Sequence, residues 1–96
     1  MRKDAGRIEV AREFVVRNQH GIHARPAALL VKTASQFQCD ITLHKQEMSV
    51  SAKSIIGVLT LEGHPGVTLK VTACGVDAPQ ALDAIQELFE KNFHEE

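Results

Sequence analysis

His23 and Arg25 stand two residues apart within Gly21-Ile22-His23-Ala24-Arg25-Pro26-Ala27. An imidazole is a nucleophile near neutral pH. A guanidinium presents a planar fork of donors matched to phosphate oxygens. Together they suit a site that takes a phosphoryl group onto a ring nitrogen, holds it and releases it. A phosphorylated ring carries two negative charges or nearly so, and it needs donors around it.

The elements around the pair supply those donors. Arg12-Glu13-Phe14-Val15-Val16-Arg17 has the aromatic and β-branched centre of a strand. Asn18-Gln19-His20-Gly21 is polar, and Gly21 can adopt the angles that close a loop. From Ala24 the pattern is helical, with Ala27, Leu30, Val31 and Ala34 at i, i+3, i+4 and i+7. Pro26 falls in the first turn, where its missing N–H does no harm. His23 is therefore expected just before a helix, with Arg25 just inside it. The first-turn amides and the positive end of the helix dipole favour an anion at that place. A lone histidine near a helix start is usually a solvated surface residue. Here Gly21, His23, Arg25 and Pro26 all serve one mechanism.

A metal site is the competing use of His20 and His23. A structural zinc site needs four ligands, Cys39 and Cys74 are solitary, and there is no CxxC or HxxxH pair. Neither metal nor cofactor is expected.

A second segment draws attention to Ser54. Ser51-Ala52-Lys53-Ser54 precedes the apolar run Ile55-Ile56-Gly57-Val58-Leu59, so Ser54 reads as the N-cap of a short helix. Capping alone would account for the serine. Large apolar side chains are usually buried, and Ile55 and Val58 are expected to face the core.

The two segments, in this order and spacing, resemble the signatures of the HPr family. Its members are the histidine-containing phosphocarriers of the bacterial phosphoenolpyruvate-dependent phosphotransferase system. Gly21 to Ala27 looks like the active-site signature, and Lys53-Ser54-Ile55-Ile56-Gly57-Val58-Leu59 like the one around the family's regulatory serine. The resemblance covers about residues 12 to 92. It implies that His23 is the phosphoryl acceptor, charged by enzyme I with a group from phosphoenolpyruvate, and that Arg25 stabilises the phosphate. Family members use the δ nitrogen, although the sequence does not itself distinguish tele- from pros-phosphohistidine.

By the same resemblance, EIIA-type acceptor proteins receive the group. Ser54 is the site of an ATP-dependent HPr kinase/phosphorylase, and Ala24, Lys32, Lys53, Ile56 and Leu59 dock partners, a transcriptional regulator among them. Such a protein is a stoichiometric carrier and not a turnover enzyme. A different class of function is a regulatory docking adaptor in a nitrogen-type or kinase-controlled circuit without sugar transport. The segment from Leu88 to Glu96 resembles the tail of the family's nitrogen-related branch.

The remaining elements are read from pattern. Asp40-Ile41-Thr42-Leu43-His44 and Met48-Ser49-Val50-Ser51-Ala52 alternate as a hairpin about Lys45-Gln46-Glu47. Gly63-His64-Pro65-Gly66 is a turn, and Val67 to Ala73 is the clearest strand. Asp77 is expected to cap the last helix, with Gln80 as its capping-box partner and Pro79 in the first turn. Ala81, Leu82, Ile85, Leu88 and Phe89 form its apolar stripe. The expected fold is α+β, an open-faced two-layer β-α-β-β-α-β-α sandwich. By resemblance to HPr, its four-stranded sheet is mainly antiparallel and covered by helices on one face.

Ninety-six residues make one domain. Residues 1–11 are expected to be a loose N-terminal extension and 12–96 a single HPr-like domain. A net charge of −1 argues against bulk binding to nucleic acid or anionic membrane. The four aromatic residues, all Phe, make no base-stacking platform. No apolar stretch approaches the roughly 20 residues of a membrane span. Met1-Arg2-Lys3-Asp4 leads into no apolar segment of the kind a signal peptide needs. The expectation is a cytoplasmic monomer with reduced cysteines.

Overall fold

Alternation along the strands decides which face of the sheet meets the helices. A computed structural model describes residues 8–95 of the chain. In strand β4 (Thr68–Gly75), Leu69, Val71 and Ala73 are buried, whereas Thr68 and Lys70 are exposed. β1 (Ile8–Val15), β2 (Asp40–Lys45) and β3 (Met48–Ser51) complete a sheet of order β1-β4-β2-β3, antiparallel at every pairing. The register lines up Arg12, Val71, Leu43 and Val50 in one row across four strands. On the opposite face Glu13, Lys70, His44 and Ser49 align, and His44 Nε2 lies 3.0 Å from Thr72 Oγ1. That polar face is open to solvent.

The apolar face is covered by α1 (Ala24–Ala34) and α3 (Ala78–Glu90), with the short α2 (Ile55–Leu61) packed on α1 and β3. Ala27, Leu30 and Ala34 of α1 are buried together with Ala81, Leu82, Ile85, Leu88 and Phe89 of α3. The architecture is the expected open-faced two-layer sandwich.

Two expectations are corrected here. Residues 8–11, expected to be loose, are paired strand: Ile8 faces Gly75 and Ala11 faces Thr72. β4 runs on to Gly75, and these residues complete the ladder along its edge away from β2. Residues 1–7 of that expected extension lie outside the described residues. Asp77 stands at the N-cap of α3, but its side chain makes no capping bond, so the expected box with Gln80 does not form. Its Oδ2 accepts from the Gln38 amide at 2.8 Å and its Oδ1 from the Cys39 amide at 2.9 Å. The carboxylate ties the entry of β2 to the entry of α3. The Gln38 amide, more than any other group, holds this carboxyl below its ordinary range. Burial, assisted by Asp77, pushes the Cys39 thiol up to about 11. Cys39 and Cys74 are not joined by a disulfide.

One close backbone approach positions the segment before α1. The Ile22 amide donates to the Gly63 carbonyl at 2.8 Å. Gly21 has a φ of +71°, and a Cβ there would run into the Gly63 carbonyl. Glycine at this position satisfies both the left-handed angle and the contact.

After α3 the chain turns back through Asn92, Phe93 and His94, whose φ values are 51°, 54° and 62°. Left-handed backbone is costly for residues with side chains. Burial of Phe93 offsets it: its ring meets Phe89 edge-on at 4.9 Å, and Phe89 stacks on Phe14 at 4.7 Å.

Gly21→Ala is expected to destabilise the fold by ~1–3 kcal/mol, since it combines a strained angle with a steric collision; urea unfolding measures this. Asp77→Asn is expected to lower the thermal midpoint at neutral pH. The stabilisation from a depressed carboxyl is present above its unfolded value and is lost as pH falls through the still lower folded one. The two proteins' midpoints should therefore converge in strong acid, as a calorimetric pH series would show.

Candidate functional site

The site forms where three loops meet. The turn at 64–67 is pinned to the end of the first strand: Val16 donates to the Val67 carbonyl at 2.9 Å and Gly66 to the Val16 carbonyl at 2.7 Å. The following turn closes with Gly21 N–H donating to the Asn18 carbonyl at 3.1 Å. With Ile22 held by Gly63, the chain enters α1 at His23. This residue is the N-cap, with extended backbone angles, and its carbonyl accepts the Ala27 amide at 2.8 Å. Its side chain makes no capping bond, so the ring is not committed to the helix and is 45% exposed. Histidine lacks the short oxygen-bearing side chain that normally occupies a cap. The first-turn amides consequently keep their outward orientation without a side-chain acceptor from this position.

Ala24 and Arg25 are exposed on that first turn, and Pro26 is buried beneath it. Arg25 has no hydrogen-bond or ion-pair partner among the described residues. Its donor fork is available to an incoming anion. The His20 ring stands edge-on to that of His23, with centroids 5.8 Å apart. No group of three or more His, Cys, Asp and Glu side chains able to hold a metal occurs among the described residues.

Two further residues reach this place and were not singled out from sequence. Asn18 is only 3% exposed. Its Nδ2 donates to the Gly21 carbonyl at 2.7 Å and to Glu95 Oε1 at 3.1 Å. The other Glu95 oxygen lies 3.6 Å from His23 Nε2. A polar residue at a loop start and a glutamate 77 positions later carry no spacing signal that links them. The one hint is Phe93, an apolar residue placed after the last helix and before Glu95.

Ser54 is the N-cap of α2, as its position predicts, and its Oγ accepts the Gly57 amide at 3.0 Å. On α2, Ile56 is 70% exposed and Leu59 is also exposed. Ile55, expected in the core, is 38% exposed, whereas Val58 is buried. The buried stripe of this seven-residue helix is Val58 and Leu61, and one turn earlier it runs past the edge of the core. Three apolar side chains thus share the outer surface of α2. The helix leads directly into Gly63, so its far end adjoins the loop that carries His23. Lys32 is exposed in the last turn of α1. Lys53 is turned inward, its Nζ donating to the Phe37 carbonyl at 2.7 Å. No helix among the described residues is long and apolar enough to cross a membrane.

Comparison with known proteins agrees with this geometry. Residues 10–91 match the family described as the PTS HPr component phosphorylation site. The chain is 43% identical over 84 residues to the phosphocarrier protein HPr of Xylella fastidiosa strain 9a5c, covering 88% of this chain and 94% of that one. It is 42% identical over 87 residues to the phosphocarrier protein HPr of Treponema pallidum strain Nichols, covering 91% and 99%. The crystal structure of HPr-C-His from Thermoanaerobacter tengcongensis superposes with a TM-score of 0.84 at 43% identity, covering 93% of this chain and 98% of that one. With both signature segments, the sandwich and an exposed histidine at a helix entry, the chain belongs to the HPr family of phosphotransferase-system phosphocarriers.

Proposed function

We propose that His23 accepts a phosphoryl group from phosphorylated enzyme I and passes it to EIIA-type acceptor proteins. The observation that carries this reading is the uncapped helix entry: His23 occupies the N-cap with a half-exposed ring that bonds no first-turn amide. In the transfer, a lone pair of the ring attacks phosphorus while the donor's P–N bond breaks. The broken bond's electron pair returns to the donor ring. The phosphoryl oxygens arrive beside outward amides and the open fork of Arg25. These donors are solvent-exposed, which keeps the stabilisation moderate. A carrier needs that, because the next acceptor must be able to remove the group.

Docking rests on the apolar surface of Ile56 and Leu59, extended by Ile55, with Ala24 and Arg25 at its histidine end. An exposed apolar surface beside fixed cations suits a transient partner. Lys32 contributes positive charge. Lys53 contributes through the loop it holds at Phe37 rather than as an open ammonium.

We further propose that Ser54 is a regulatory phosphosite for an HPr kinase/phosphorylase. Its Oγ already faces a helix-start amide, where added negative charge is compatible with the fold. Phosphate there would act on docking, because it puts up to two negative charges next to Ile56 and its neighbours.

Incubation with enzyme I and phosphoenolpyruvate should add one acid-labile phosphate, followed by intact-protein mass spectrometry, and His23→Ala should abolish it. A persistent adduct in that variant would remove His23 from the role. Arg25→Ala should slow transfer by about tenfold through lost charge stabilisation, without loss of the fold. Ser54→Asp should raise the KM for enzyme I while leaving the rate at saturation alone, and the effect should shrink in high salt.

A further inference from the structure

Glu95 is placed at His23 by a construction too specific for a casual surface contact. Phe93 is buried against Phe89 and fixes the chain two residues before Glu95. Three successive left-handed residues turn the backbone toward the loop that carries His23. Asn18, itself buried, spends both amide protons there: one on the Gly21 carbonyl and one on Glu95 Oε1. The carboxylate that results is only 17% exposed, and its second oxygen stands 3.6 Å from His23 Nε2.

We propose that Glu95 is a positioning residue for phosphoryl transfer, holding the His23 ring by its Nε2 edge so that Nδ1 is presented to the donor. The inference rests on the reading of His23 as the phosphoryl acceptor. A carboxylate facing Nε2 favours the form with the proton on that nitrogen and leaves the lone pair on the other. When the Nδ1 lone pair forms the new P–N bond, the donor's P–N bond breaks and its electrons return to the donor ring. The His23 ring keeps its Nε2 proton and becomes cationic. That charge develops directly opposite Glu95 Oε2. The present 3.6 Å separation is too long for a hydrogen bond and tightens as the N–H becomes more acidic.

Glu95 also sits on the side of the ring away from the reacting nitrogen. Its attraction to the cationic N–H therefore outweighs its repulsion of the phosphoryl group. Arg25 and the first-turn amides act on the phosphoryl oxygens, and Glu95 acts on the ring. His20 adds only an edge-on ring contact.

The test is single-turnover transfer from phosphorylated enzyme I to the full chain, with rates taken across donor concentration. Glu95→Gln should lower the limiting rate by about tenfold, the low end of the loss when the outer partner of a metal-bound imidazole is removed, with the KM for enzyme I unchanged. Asn18→Ala should slow transfer as well, and the double variant should be no slower than the slower single one, since both act through one carboxylate. In the phosphorylated protein, the Nε2 proton of His23 should exchange with solvent faster in Glu95→Gln than in the unaltered chain. This NMR readout decides the matter even if the variant is less stable.

An unchanged limiting rate, an effect confined to KM, multiplicative losses in the double variant, or equal proton exchange would each overturn the proposal. Failure of the unaltered chain to take up phosphate, or uptake by His23→Ala, would instead sink the reading of His23 itself.

Discussion

The hydrogen bond from the Ile22 amide to the Gly63 carbonyl is the constraint on which the site depends. It joins the loop before α1 to the loop after α2 and sets where the first helix can begin. Gly21 lies so close to Gly63 that no side chain fits between them. Because of that approach, His23 arrives at the helix entry with its backbone extended and its ring facing out. The same contact brings the C-terminal end of α2 next to the histidine loop, and the exposed Ile55, Ile56 and Leu59 lie on that helix.

Around this junction the charges are divided by what they can reach. Arg25 is open to solvent and has no partner among the described residues. Glu95 is largely shielded and bound by Asn18. An exposed guanidinium interacts weakly with everything until an anion arrives, whereas a shielded carboxylate acts continuously on one neighbour. The His23 imidazole has Glu95 at its Nε2 edge, and the solvent-facing guanidinium follows two residues along the chain. This asymmetry suits a phosphocarrier, which must be nucleophilic when empty and must not hold its cargo too tightly when full.

The parts of the fold that follow from short-range rules were legible in the residues. The apolar spacing from Ala27 to Ala34 gave α1, Ser54 announced the start of α2, and the stripe from Ala81 to Phe89 is the buried face of α3. Each of these depends on neighbours within a few positions. The misreadings share the opposite property. Residues 8–11 are strand because β4, some sixty positions later, runs on to Gly75. Asp77 has the right address for a cap, yet two amides from a distant loop compete for its oxygens and win. Ile55 has the same helical phase as Val58, but the core ends beneath it.

By itself the sequence determined which residues could carry the chemistry and what elements would hold them. His23, Arg25 and Pro26 at a strand-to-helix transition are a local statement, and local backbone preferences suffice to read it. Only the tertiary structure decided that Asn18 and Glu95 join that histidine, that the loop after α2 adjoins its loop, and that Asp77 binds a loop. The physical reason is that such contacts arise where the chain packs against itself. The partners there are chosen by proximity after collapse, and positions 77 apart leave no periodicity in the sequence to announce that they will meet.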